Sequence, residues 1–122
     1  MIQLRSMITP ADNCGAKRLK VIHIYRGFKR TTGTVGDIIS AVVDQADPNG
    51  IVKDSEIVRA VVVRTKKSVR RLDGSYVRFD DNAAVIIDKD DNPRGSRVFG
   101  PVAKEVKEAG FSKIASLAKE MY

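Results

Sequence analysis

The chain carries one histidine, His23, and one cysteine, Cys14. A general base, a nucleophile or a metal centre needs such a group beside a partner at the right spacing, and neither has one. His23 falls in an alternating run on the same face as Leu19 and Val21, which reads as a core or barrel-end histidine. Cys14 lies in a turn with no second Cys or His at ligand spacing, and nothing local marks it as a thiolate. Gly33-Thr34-Val35-Gly36 has the glycines of a phosphate-cradling loop without the Lys-Ser or Lys-Thr that must follow, so a hairpin turn is expected. Asp88, Asp90 and Asn92 have the spacing of a calcium loop. Its sixth position demands glycine and holds Pro93, and its twelfth demands a glutamate and holds Phe99. No catalytic residue, metal or cofactor is expected, and so no enzyme.

The groups present in number are cations. Lys and Arg total 22 against 15 acids, giving a net charge of +7 and a pI near 9.8. Between residues 64 and 78, Arg64, Lys66, Lys67, Arg70, Arg71 and Arg78 stand against one acid, Asp73. Cations this dense repel unless a polyanion sits among them, which points to nucleic acid. The alternative is a solvated hairpin with a basic surface. Tyr76 adds the second group that holds unpaired bases, an aromatic ring beside a guanidinium. Residues 26–33 form a second candidate, with Arg26, Lys29 and Arg30, no acid, and Phe28 either exposed or tucked into the core. Lys17, Arg18 and Arg94 complete the candidate RNA contacts. An anionic membrane would also attract this charge, but no long apolar run or basic amphipathic helix is present to insert.

These residues need a scaffold. At 122 residues with 43% apolar and 30% charged residues, the chain suits one domain with one core. The runs 60–63 and 83–87 are short, rich in β-branched residues and bounded by turns, as buried strands are. Between them Asp73-Gly74 predicts a two-residue type I′ hairpin. Arg71 would then face Tyr76, Arg70 would face Val77, and neither face of the ribbon would be purely apolar. Residues 1–8 read as an edge strand ended by Pro10. Residues 17–25 alternate as a strand buried on much of both faces. Strands 38–43 and 57–63 each follow a tight turn. Pro101 is expected to open a helix with Val102, Val106 and Ala109 on one stripe and Gly110 as its cap, and a second helix spans 112–118. Strands of modest length with recurrent turns favour a small closed barrel. One cysteine and the lack of a leader pattern lead to the expectation of a reduced, intracellular chain.

Residues 11–16, Ala60 through Lys67, Asp73-Gly74-Ser75 with Arg78-Phe79, and Pro93-Arg94-Gly95 through Phe99-Gly100-Pro101-Val102 resemble the L-fourteen family of large-subunit ribosomal proteins along nearly the whole chain. Local departures are Ser68 and Leu72 in place of a Gly and a Pro, Cys14 where a Ser is common, and Lys119 where a Pro is frequent. The resemblance implies a mainly β fold: a five-stranded barrel with a projecting β-ribbon over roughly 1–100 and two short C-terminal helices over 101–122. It implies a structural constituent of the large subunit in a cytoplasmic or organellar ribosome. It further implies as partners large-subunit ribosomal RNA, neighbouring ribosomal proteins, and small-subunit RNA across an intersubunit bridge. Ser96, Arg97 and Lys113 would form the exposed interface face, on which a ribosome-silencing factor docks in many relatives. The competing reading is a free small-barrel binder of single-stranded RNA or DNA. That class stacks successive bases on several rings, whereas this chain is 6% aromatic, has no Trp and offers few rings near its cations, which favours backbone-directed, shape-dependent binding.

Overall fold

The computed structural model describes residues 2–25 and 32–122. Among them are nine strands, β1 (Ile2–Gln3), β2 (Met7–Pro10), β3 (Ala16–Ile24), β4 (Thr32–Gly33), β5 (Ile38–Ala46), β6 (Ile57–Arg64), β7 (Val69–Arg70), β8 (Tyr76–Val77) and β9 (Ala83–Ile87). Two helices follow, α1 (Lys104–Glu108) and α2 (Ser112–Leu117). Strands β2-β3-β5-β6-β9 close into a barrel, antiparallel except where β2 meets β9. The mainly β, five-stranded barrel with two short C-terminal helices is the fold expected from the sequence.

The continuous apolar runs have a simple cause: β6 and β9 are covered on both faces. Val58, Ala60, Val62, Ala84 and Ile86 point into the barrel with Leu19, Val21, Ile39 and Val43. Val61, Val63, Ala83, Val85 and Ile87 point outward into a second cluster with Val98, Val102, Val106, Phe111 and Ile114. The C-terminal segment is therefore a layer over the outside of the barrel, and each buried Val or Ile contributes about 1.5–3 kcal/mol there.

Four expectations are corrected. The expected edge strand is two strands: β1 pairs with β4 in a separate two-stranded sheet, and β2 is not an edge, because it closes the barrel. Thr9 donates to the carbonyl of Asn82, just before β9, and Ala11 to that of Ala84 on β9 (3.0 and 2.8 Å). Pro10 lies between those two donors and past the end of the β2–β3 pairing at Ile8, where its missing N–H costs no ladder bond. On β3, the register to β5 shifts between Val21 and His23. Ile22 is the extra residue of a bulge, so the buried set is Leu19, Val21 and Ile24 while Ile22, His23 and Tyr25 are exposed. His23 sits edge-on to Tyr25 with ring centres 4.6 Å apart, outside the core.

The ribbon β7–β8 is the third. Its register pairs Val69 with Val77 and Arg70 with Tyr76, one residue away from the expected pairing. The loop has three residues: Arg71 N donates to Ser75 O (2.9 Å) and Gly74 N to Arg71 O (3.0 Å). Only Gly74 has positive φ, +88°, which fits a type I turn closed by a left-handed glycine rather than a type I′ turn. Asp73 fixes it, accepting from Ser75 N at 3.0 Å and Ser75 Oγ at 2.6 Å. A slip of one residue exchanges the faces. Val69, Val77 and Phe79 now share a half-buried face, with Val69 and Phe79 packed on the barrel interior. Ser68, Arg70, Tyr76 and Arg78 face outward.

The fourth concerns the first helix, which starts at Lys104 rather than Pro101. Val102 is held in a parallel bridge to Met121, its N–H donating to Glu120 O (3.0 Å) and its carbonyl accepting from Tyr122 N (2.9 Å). Val106 is buried and Ala109 exposed, so the stripe is narrower than expected, and Gly110 ends the turn at φ +102°.

Candidate nucleic-acid interface

The sequence grouped the cations by spacing; the structure sorts them by partner. Arg64, the last residue of β6, is buried and saturated. Its Nε and Nη2 hold the Asp81 carboxylate at 2.9 and 3.2 Å, and its Nη1 donates to the carbonyls of Phe99 (2.8 Å) and Pro101 (3.1 Å). Gly100 lies against that guanidinium at φ +78°, and a Cβ there would meet Arg64 Nη1 at 2.4 Å. Arg71 donates to Glu105 Oε1 on α1 at 2.9 Å and to the Tyr122 carbonyl, tying the ribbon to the C-terminal layer. Arg94 holds Glu56 at 2.8 Å. These three arginines act as internal struts rather than open cations, which spacing alone could not reveal.

Arg18 pairs across the sheet with Asp44 at 3.3 Å, both side chains about half exposed (53% and 44%), a geometry in which the pair contributes little and the guanidinium stays accessible. Lys17 is exposed at the start of β3. Lys66, Arg70 and Arg78 have no acidic partner among the described residues, and Lys67 is exposed beside them. Lys66 is positioned through its own backbone, whose N–H donates to Asn82 Oδ1 (2.9 Å). The ribbon thus presents Arg70, Tyr76 and Arg78 on one exposed face, with Tyr76 opposite Arg70 rather than Arg71. Arg26, Lys29 and Arg30 lie outside the described residues.

Ser96, Arg97 and Lys113 occupy a different part of the surface. Asn13 organises the first two: its Oδ1 accepts from Ser96 N (2.9 Å) and Arg97 N (3.2 Å), and its Nδ2 donates to Ser96 Oγ (2.9 Å). Lys113 is exposed in the first turn of α2. Neighbouring Val98 and Ile114 share the outer apolar cluster, so both segments belong to the layer over β6 and β9. Asn13 was missed in the sequence because its role depends on a contact across more than eighty positions.

Cys14 is buried, its thiol donating to Asp12 Oδ2 at 3.3 Å. Burial, reinforced by the Asp12 carboxylate, pushes the thiol up to about 12, so it is protonated and unreactive at neutral pH. Burial likewise raises the Asp12 carboxyl above the usual carboxylate range, opposed by hydrogen bonds from Ile86 N and Cys14. Among the described residues no three His, Cys, Asp or Glu side chains are placed to hold a metal ion, and no helix is long and apolar enough to cross a membrane.

The closed barrel displays exposed cations on its ribbon and is covered by the C-terminal layer over β6 and β9, an arrangement suited to a polyanionic partner. The family model for ribosomal protein L14p/L23e matches residues 1–122. A curated relative, large ribosomal subunit protein uL14 of Petrotoga mobilis (strain DSM 10674 / SJ95), is 57% identical over 122 residues, covering 100% of both chains. The chain belongs to the ribosomal protein L14p/L23e family. It is accordingly a structural, non-enzymatic protein of the large ribosomal subunit, with ribosomal RNA and ribosomal proteins as its partners.

Proposed function

We propose that this chain holds large-subunit ribosomal RNA with the outward face of its ribbon, and that its Ser96–Lys113 surface faces out of the subunit. Arg70, Tyr76 and Arg78 form the centre of the RNA contact, with Lys66, Lys67, Lys17 and Arg18 at its margins and Arg26, Lys29 and Arg30 as a second contact. Arg64, Arg71 and Arg94 serve it indirectly, by fixing the ribbon and the loops around it. Ser96, Arg97 and Lys113 form a bridge to small-subunit RNA, on the surface a ribosome-silencing factor would cover. One observation carries the reading: the ribbon register collects the cations lacking acidic partners on one exposed face and turns the apolar residues to the barrel.

The two surfaces are separable by mutation. Arg70→Glu with Arg78→Glu places anions against phosphates, so incorporation into large subunits falls while the barrel still melts cooperatively. Arg97→Ala with Lys113→Ala incorporates normally and slows subunit joining, since rim charges act mostly on association. Sucrose-gradient profiles and quantitation of the protein in purified subunits read both. A ribbon variant that assembles normally while the Arg97 and Lys113 variant is absent from subunits would reverse the assignment. For the purified protein on its RNA, four to six neutralised phosphates correspond to a log-log salt slope of about −3 to −5, and a flat dependence would refute the electrostatic contact.

A further inference from the structure

An open groove of about 790 Å³ runs between the second ribbon strand and the C-terminal layer. Tyr76, Arg78, Phe79, Asp80, Phe99 and Tyr122 are among the residues that line it. Four of the chain's seven Tyr and Phe residues thus converge on one site from positions spread over 47 residues of sequence. Tyr76 is 65% exposed and Phe99 52%, and neither ring stacks on another among the described residues. In water, large open aromatic faces beside a groove are an unfavourable arrangement unless something covers them.

The charges choose the occupant. Asp81 is neutralised by the buried Arg64, while exposed Asp80 and exposed Arg78 line the groove without an ion pair between them, so its side chains carry two charges of each sign. A phosphate gains nothing there. A flat, uncharged, amine-bearing group does, stacking on the rings while a carboxylate accepts from its amino group, as Asp accepts from the amine of a base. Arg78 lines the same groove and Arg70 stands opposite Tyr76 on the ribbon, where a chain of phosphates would pass.

We propose that the groove between the ribbon and the C-terminal layer is a nucleobase site, taking an unpaired base of RNA against Tyr76 and Phe99 with Asp80 reading its amino edge. This rests on the ribbon being an RNA contact, and it adds that the contact requires bases as well as charge. Phosphates then fix the strand along the cations, and the splayed base supplies the preference for a single-stranded or bulged element over a helix.

The test uses the purified full chain with a mixed-sequence RNA strand of about twelve nucleotides, an abasic strand of equal phosphate count, and a hairpin of the same length as the paired control. The chain has no Trp and three Tyr, two of them in the groove, so tyrosine emission reports occupancy directly. The base-bearing strand should quench that emission and bind about 5- to 150-fold more tightly than the abasic strand, the range for one stacked base. Tyr76→Leu and Phe99→Leu should each narrow the gap at unchanged salt slope, Tyr76→Phe should retain it, and Tyr25→Phe should leave the quenching in place. Equal binding of the abasic and base-bearing strands, with the salt slope intact, overturns the groove and leaves the RNA contact standing. Absence of binding by every probe overturns both.

Discussion

Arg64 offers the clearest separation between a strut and a contact. Replacing it with Met keeps the length of the side chain and removes the fork. Three groups then lose their donor: the Asp81 carboxylate and the carbonyls of Phe99 and Pro101. A hydrogen bond to a charged group contributes about 1.5–3 kcal/mol, and two such bonds reach part-buried carbonyls. The fork to Asp81, whose side chain is 41% exposed, is partly screened, so we assign it about 1 kcal/mol. Taken at the lower end for the part-buried carbonyls, the sum is about 4 kcal/mol, and the packing of Met together with relief of the buried charge brings the loss to about 3–4 kcal/mol. At roughly 4 °C per kcal/mol for a domain of this size, thermal unfolding should move down by about 12–16 °C. Arg64→Lys keeps the charge but not the bidentate geometry and should lose about half as much. A contact residue behaves in the opposite way. If Arg64→Met melts within about 2 °C of the parent while RNA affinity drops, the buried fork is not what Arg64 is for, and the sequence grouping with Lys66 and Arg70 was the better guide.

Four further outcomes follow from the same geometry. Ile114→Ala, which empties a fully buried position in the outer cluster, should cost about 2–5 kcal/mol by denaturant titration. Gly74→Ala meets nothing within 4 Å, so only its left-handed backbone resists; ribbon amides should exchange faster by about 1–2 kcal/mol while the global melt stays put. Cys14 should resist iodoacetamide at pH 8 in the native chain and react in urea. A thiol that deprotonates near 12 when folded and at its ordinary 9.0 when unfolded keeps its proton longer in the fold, so its contribution to stability is lost as pH rises between those values. Arg71→Met and Glu105→Gln should be non-additive by about 1 kcal/mol in a double-mutant cycle, because Glu105 Oε2 is already buried without a partner and the carboxylate loses the guanidinium that compensates it; additivity within about 0.3–0.5 kcal/mol would show that the ribbon is not tied to α1.

The barrel was legible because burial on both faces writes itself into the sequence as short unbroken runs, and β6 and β9 are such runs. The turns were legible for a related reason, since Asp73-Gly74 and the residues before β5 and β6 must break strands wherever they occur. What stayed hidden was always a matter of one residue or of many. One extra residue at Ile22 turns His23 and Tyr25 out of the core, and one extra residue in the ribbon loop exchanges its faces. Alternation cannot report either, because a bulge or a three-residue loop leaves composition unchanged. The acidic partners of Arg64, Arg71 and Arg94 lie 17 to 38 positions away and appear only once the chain has folded.

That last class changes how the basic charge should be read. Counted along the sequence, residues 64–78 form one cationic block awaiting a polyanion. Folded, the same block divides by depth. Arg64 and Arg71 turn inward, where acids and carbonyls from the C-terminal layer hold them, and Arg70 and Arg78 remain outside. The inward pair anchors the segment that displays the outward pair, so the ribbon can keep cations together on one face without its position being set by their repulsion. Acids placed elsewhere in sequence, Asp81 and Glu105, are therefore as much a part of the proposed RNA-facing surface as its arginines, although neither need touch RNA.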